Sequence, residues 1–229
     1  MSMTYTTTEQ DREDLERLNE MGSITYGSEI LASLPSAPLF IASQFASKDK
    51  YLISFIAVKV DKTYIGIYAS NGHMAFRFKF PKVSEGFYAE KSFLIGADTF
   101  KKSNKKSYIA TICENGYISF RDKKGNFLEA RQWKGDPETE KFPNIEQIFP
   151  SSFSNNFDKS FWFNAKYLGI ISKAVCSYSS NFNSEMSFSG NSVNTPFLIS
   201  SEIGIEGLND IEGYTPTMEF LIMPVTKRY

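Results

Sequence analysis

Tyr64-Ile65-Gly66-Ile67-Tyr68-Ala69-Ser70-Asn71-Gly72-His73-Met74-Ala75-Phe76-Arg77-Phe78-Lys79-Phe80 is the stretch on which the fold turns. Tyr64 to Ala69 reads as a strand, Asn71-Gly72-His73 as a glycine turn, and Met74 to Phe80 as a second strand. From Met74 the residues alternate, with Phe76, Phe78 and Phe80 on one face and Arg77 and Lys79 on the other. That two-residue period belongs to a sheet with one buried side. Pro81 ends it.

Upstream, Asp61-Lys62-Thr63 joins this hairpin to a strand over 52–60. Before that strand lies a helix, Leu39-Phe40-Ile41-Ala42-Ser43-Gln44-Phe45-Ala46, with Pro38 suited to its first turn. The chain is interrupted at Pro35, and an opening strand falls around Ile24-Thr25-Tyr26. Downstream the same succession returns. A strand over 92–95 and a short helix over 98–102 lead to strands over 108–113, 117–121 and 127–133. Glu114-Asn115-Gly116 and Lys123-Lys124-Gly125-Asn126 form the turns between them. A third succession has a strand over 160–163, a helix over 165–175 and strands over 185–189, 195–200 and 219–225. Between the second and third lies 136–154, with Pro137, Pro143 and Pro150, which reads as a linker.

A recurring strand–helix–strands unit implies an α+β fold, with antiparallel sheets and short helices on one face. The expected organisation is a polar extension over 1–20, two units over 21–150 and one unit over 151–229.

Composition agrees with a packed core. Hydrophobic residues make up 41% and aromatics 15% of 229 residues, with 21 Phe and 12 Tyr. Aromatic side chains suit pleated surfaces. A net charge of −1 neither demands nor excludes a nucleic-acid partner, because the charge on one face matters more than the sum. No apolar run approaches the ~20 residues that span a bilayer, and the first 20 residues hold no apolar signal core. The expectation is a cytoplasmic protein. Cys113 and Cys176 stand alone, without the spacing of a zinc site, and read as free thiols.

No catalytic constellation emerges. His73 is the sole histidine and has no nucleophile motif beside it; it reads as a turn residue. Gly22-Ser23-Ile24-Thr25-Tyr26-Gly27 lacks phosphate-loop and dinucleotide spacing. Asp136, Glu138 and Glu140 fall in the linker, and nothing selects a carboxylate pair. No enzyme activity, cofactor or metal is expected.

Several stretches, in order, resemble the bacterial DNA polymerase III β sliding clamp family. Ala69-Ser70-Asn71-Gly72-His73-Met74-Ala75 is similar to the glycine turn of that clamp's second domain. Ala42-Ser43-Gln44-Phe45-Ala46 with Leu52-Ile53-Ser54-Phe55 is similar to its preceding helix and strand. Phe142-Pro143-Asn144 through Ile148-Phe149-Pro150 resembles its inter-domain stretch, and Phe163-Asn164-Ala165-Lys166-Tyr167-Leu168 a helix start in its last domain. Phe220-Leu221-Ile222-Met223-Pro224-Val225 resembles its terminal strand. The family's chain has six such units and this one three, with Met74 where an arginine is frequent.

The resemblance implies a DNA-clamp fold and a processivity factor that encircles duplex DNA as a homo-oligomeric ring, loaded by a clamp loader. Rings of this family contain twelve units, so three per chain imply four chains and a hidden fourth unit would imply three. It also implies a pocket for peptides of the polymerase and other clamp-binding proteins. Ser70, Gly72, His73 and Ala75 would form one side, Pro150 the linker side, and Ile222, Met223, Pro224 and Val225 the other. An apolar pocket with a methionine suits short motifs with hydrophobic anchors. Lys101, Lys102, Lys105, Lys106, Lys166 and Lys173 would line the channel, touching phosphates without reading bases. Without the resemblance, such lysines read as solvated surface. The alternative is an adaptor or competitor that keeps the pocket but does not encircle DNA.

Overall fold

A computed structural model describes residues 30–48, 53–82, 91–100, 107–133, 142–149, 162–178, 185–190, 195–203 and 214–224. The 1–20 extension and the strand expected around Ile24-Thr25-Tyr26 lie outside the described residues.

The first strand described is β1 (Ile30–Pro35), followed at once by helix α1 (Ser36–Phe45). Reading Pro35 as an interruption misses this strand. Proline is tolerated there because β1 is an edge strand and Pro35 is its last residue, opposite Ile109. Pro38 falls in the first helical turn, as expected. The first unit continues with β2 (Phe55–Val60), β3 (Tyr64–Ser70) and β4 (Met74–Pro81). The second has β5 (Ser92–Gly96), a 3-10 turn over Ala97–Phe100 in place of the expected helix, then β6 (Ile109–Cys113), β7 (Tyr117–Arg121) and β8 (Phe127–Gln132). A second 3-10 turn, Ile145–Ile148, crosses from it to the third unit: α2 (Ala165–Tyr178), β9 (Ser187–Ser189), β10 (Phe197–Glu202) and β11 (Thr217–Ile222).

The strands form two antiparallel sheets. One has the order β1-β6-β7-β8 and the other β5-β2-β3-β4-β11-β10-β9. The first two units thus exchange their opening strands: β1 pairs with β6, and β5 pairs with β2. Helix α1 lies inside this exchange. Its Phe40 stacks on Phe120 at 5.6 Å and meets Phe100 edge-on at 5.5 Å, tying helix, turn and second sheet into one core.

The alternation in β4 holds as expected. Phe76, Phe78 and Phe80 are buried in the main core, while Arg77 and Lys79 face outward. The third unit joins through β11, which pairs with β4 from Met218↔Phe78 to Ile222↔Met74. Phe220 lies against Phe76 and Phe45, with ring centroids 5.5 and 5.2 Å away. On the outer face the bidentate Arg77–Glu219 pair, at 2.6 and 2.7 Å, fastens the same two strands. Gly66 has a local reason: the Tyr68 ring lies over it, and a Cβ there would come within 2.4 Å of that ring.

Candidate functional site

The turn between β3 and β4 is shaped by its own side chains. The Asn71 Oδ1 accepts the backbone N–H groups of His73 and Met74, both at 2.9 Å. Ser70 Oγ donates to the Met74 carbonyl at 2.9 Å and accepts the Gly72 N–H at 3.1 Å. Gly72 has a φ of 87°, a conformation that strains other residues. The turn therefore presents His73 outward in a set geometry. The His73 ring stacks on Tyr167 of α2, with centroids 5.7 Å apart and planes 19° from parallel. Its carbonyl accepts the Met223 N–H at 3.1 Å.

That bond brings the two halves of the expected pocket together. Ser70, Gly72, His73 and Ala75 lie beside Ile222, Met223 and Pro224, although the segments are distant in sequence. Their side chains do different things. Ala75 and Leu221 are covered, together with Tyr68, by Ile145 and Phe149 of the crossing segment. Ile222 points into the main core. Exposed apolar surface comes from Met223 at 43% and from Ile148, next to Phe149, at 48%. Pro150 and Val225 lie outside the described residues.

Ile148, Phe149, Leu221 and Tyr167 were not among the site residues read from the sequence. The Phe142-to-Pro150 stretch carried the signal for the first two, since a linker with alternating buried and exposed apolar residues is a packed one. Tyr167 stands in the Phe163–Leu168 helix start that the resemblance singled out, but not as a pocket residue.

The crossing segment is held by charge as well as by packing. Glu146 pairs with Lys79, and with Lys59 at 3.4 Å. The Arg77 guanidinium lies 4.2 Å from the Phe149 ring centroid. Burial disfavours the ionised Glu146 carboxylate, but Lys79 and then Lys59 outweigh it and hold its pKa below the ordinary 4.5. The stability this supplies is complete above the unfolded value and disappears as pH falls through the lower folded one. Glu146→Gln is expected to lower the urea midpoint at neutral pH. The gap from wild type should close as pH falls through the lowered folded value, because the protonated carboxyl is then neutral like the amide. A gap that persists at low pH would rule out charge as its origin.

Beside the segment a cleft of about 210 Å³ opens between Ala57, Lys59, Tyr68, Leu94, Phe142 and Pro143. The buried Tyr68 hydroxyl has no well-formed hydrogen bond there. Its burial, with the nearby Glu146 carboxylate, raises its pKa.

The basic residues separate into two groups. Asn164 caps α2, its Oδ1 accepting the Lys166 N–H at 3.0 Å. Ile171, Ala174 and Val175 are buried, and Lys166 and Lys173 are exposed two turns apart on one side of the helix. Helix α1 has no charged residue in its sequence, and seven of its ten residues are buried. Lys101, Lys102, Lys105 and Lys106 lie outside the described residues. Among the described residues no group of three His, Cys, Asp or Glu side chains could hold a metal. Cys113 is buried and Cys176 exposed, both free; burial pushes the Cys113 thiol up to about 11. No described helix is long and apolar enough to cross a membrane.

Exchanged opening strands, helices on one face, and a terminal strand paired beside a glycine turn define a DNA-clamp fold. The solved structures with this fold include bacterial clamps. The DNA polymerase III β subunit of Thermotoga maritima is 15% identical, covers 92% of this chain and 70% of its own, and has a TM-score of 0.57. The β subunit of Streptococcus pyogenes is 11% identical, with the same coverage and a TM-score of 0.59. The DNA polymerase sliding clamp of Bacillus subtilis is 12% identical over 92% of this chain and 68% of its own, with a TM-score of 0.55. No protein-family model and no curated protein matches the sequence.

Proposed function

We propose that this protein is a sliding clamp: a non-enzymatic, cytoplasmic processivity factor that encircles duplex DNA as a homo-oligomeric ring and docks partner peptides. The observation that carries this reading is the pairing of β11 with β4 in a clamp fold, which sets Met223 against the His73 turn. Residues 21–150 form a two-unit domain and 151–229 a one-unit partial domain. Partner motifs of the polymerase, and of the loader that opens the ring, place hydrophobic anchors beside His73, Ile148, Met223 and Pro224. Lys166 and Lys173 of α2, with Lys101, Lys102, Lys105 and Lys106, meet phosphates in the channel. These contacts are independent of sequence, so the ring is held on the duplex yet slides.

The test is retention on DNA. Loaded protein is expected to remain on a closed circular plasmid through a high-salt wash and to be lost when the plasmid is linearised. The double variant Lys166→Glu, Lys173→Glu should bind more weakly, with a salt slope smaller by about 2. Equal loss from circular and linear DNA would replace the ring with the adaptor reading. An unchanged slope would remove α2 from the channel.

A further inference from the structure

The cleft beside the crossing segment has a cause in the strands beneath it. Leu94 of β5, Ala57 of β2 and Tyr68 of β3 are directly paired across three strands, so they stand in one row on one side of the sheet. Alanine is the small member between two large ones. In the next row Gly66 is paired with Lys59. Its missing side chain leaves room for the Tyr68 ring, whose hydroxyl lies 2.4 Å from where a Cβ would stand. The crossing segment packs on Tyr68 through Ile145 and Phe149 but does not fill the space beside Ala57. Phe142 and Pro143 wall that space together with Leu94, and about 210 Å³ remains.

The cleft holds a hydroxyl that the fold does not use. Tyr68 is 4% exposed, and its hydroxyl is buried with no well-formed bond to an acceptor among the described residues. The nearby Glu146 carboxylate has one oxygen on Lys79 and the other on Lys59. Burial beside that carboxylate raises the pKa of the phenol, so it stays protonated at neutral pH and is a donor. A buried donor without an acceptor is rare in folded proteins and calls for an explanation.

We propose that this cleft is a small-molecule site for an uncharged compound with a single ring and a carbonyl acceptor. The ring lies between Leu94, Ala57, Phe142 and Pro143, and the carbonyl accepts the Tyr68 hydroxyl. Each part of that description follows from a part of the cleft. Its volume is below the roughly 300 Å³ at which sites for drug-sized ligands begin, which limits the occupant to about one ring. The apolar walls select the ring, and the unused donor selects the acceptor. The rim selects against charge: Glu146 opposes an anion and Lys59 a cation, and the two are already paired with each other. The cleft shares no lining residue with the surface at His73, Ile148 and Met223, so the site stands whether or not the protein is a clamp.

Benzamide, a neutral ring with one carbonyl, is the probe. Titrated into full-length protein with labelled Leu and Ile methyl groups, it is expected to shift the Leu94 and Ile145 resonances saturably. Tyr68→Phe keeps the ring and removes only the hydroxyl. It should weaken benzamide by about 5- to 10-fold and leave the urea midpoint unchanged or higher. Benzoate and benzylamine should bind more weakly than benzamide by about 10-fold or more. Four results would each overturn the proposal. They are no saturable shift up to the solubility of benzamide, equal affinity for Tyr68→Phe and wild type, equal affinity for the charged probes, and a lowered midpoint for Tyr68→Phe. The last would show that the hydroxyl already has a partner within the fold.

Discussion

Phe220→Ala is expected to destabilise the protein by about 3–5 kcal/mol, the range for removing a fully buried phenyl ring from a packed core. Phe220 has no exposed surface and sits where three elements meet, with Phe45 of α1 and Phe76 of β4 against its ring. The helix and sheet around it are fixed by other contacts and cannot collapse to fill the space, so both the burial and the cavity contribute. A loss of that size is a large fraction of the stability of an ordinary domain, about 5–15 kcal/mol. The measurement is the guanidinium unfolding midpoint with its slope. Phe188→Ala, on the exposed edge, serves as the control and should change stability far less. A loss for Phe220→Ala below about 1 kcal/mol would mean that β11 is not seated between β4 and β10.

The second large effect falls on docking. Met223→Glu should weaken binding of a partner peptide by about 30-fold or more, the effect of losing a central anchor contact. The charge would lie beside Leu221 and the His73 turn, where an apolar anchor would have to leave it desolvated. The Met223 side chain is exposed and its contribution to the fold is a backbone bond to His73, so stability should change little. Fluorescence anisotropy with a labelled peptide from the cognate polymerase reads the affinity, and thermal unfolding reads the fold. Met223→Leu should retain most of the binding, since it keeps the apolar volume. Equal affinity for Met223→Glu and wild type would place peptide docking elsewhere on the surface.

The comparison between sequence and structure divides along range. In β4 the alternation from Phe76 to Lys79 was legible because a strand repeats every two residues, and nothing outside the strand is needed to see it. Pro38 in the first turn of α1 was legible for the same reason. Strand β1 was not: Pro35 reads locally as a break, and only its place at a sheet edge, opposite Ile109, makes it acceptable. The segment Ile145–Ile148 reads as linker because its prolines and polar residues are loop-like. Its buried Ile145 and Phe149 reveal themselves only against Leu221 and Ala75.

The candidate site shows the same division. The resemblance set the Ser70–Ala75 turn and the tail ending at Pro224 together as a candidate. Which of their side chains reach the surface was decided by packing, which sends Ile222 inward, covers Ala75 and leaves Met223 and Ile148 exposed.

By itself, the sequence determined most of the strands, the buried face of β4, and the glycine turns between hairpin strands, because periodicity and turn chemistry act over a few residues. Only the tertiary structure decided which strands pair. The exchange of β1 and β5 and the seating of β11 on β4 are choices among edges with similar local sequences. They are settled by contacts such as Arg77 with Glu219, 142 residues apart, which no local pattern encodes.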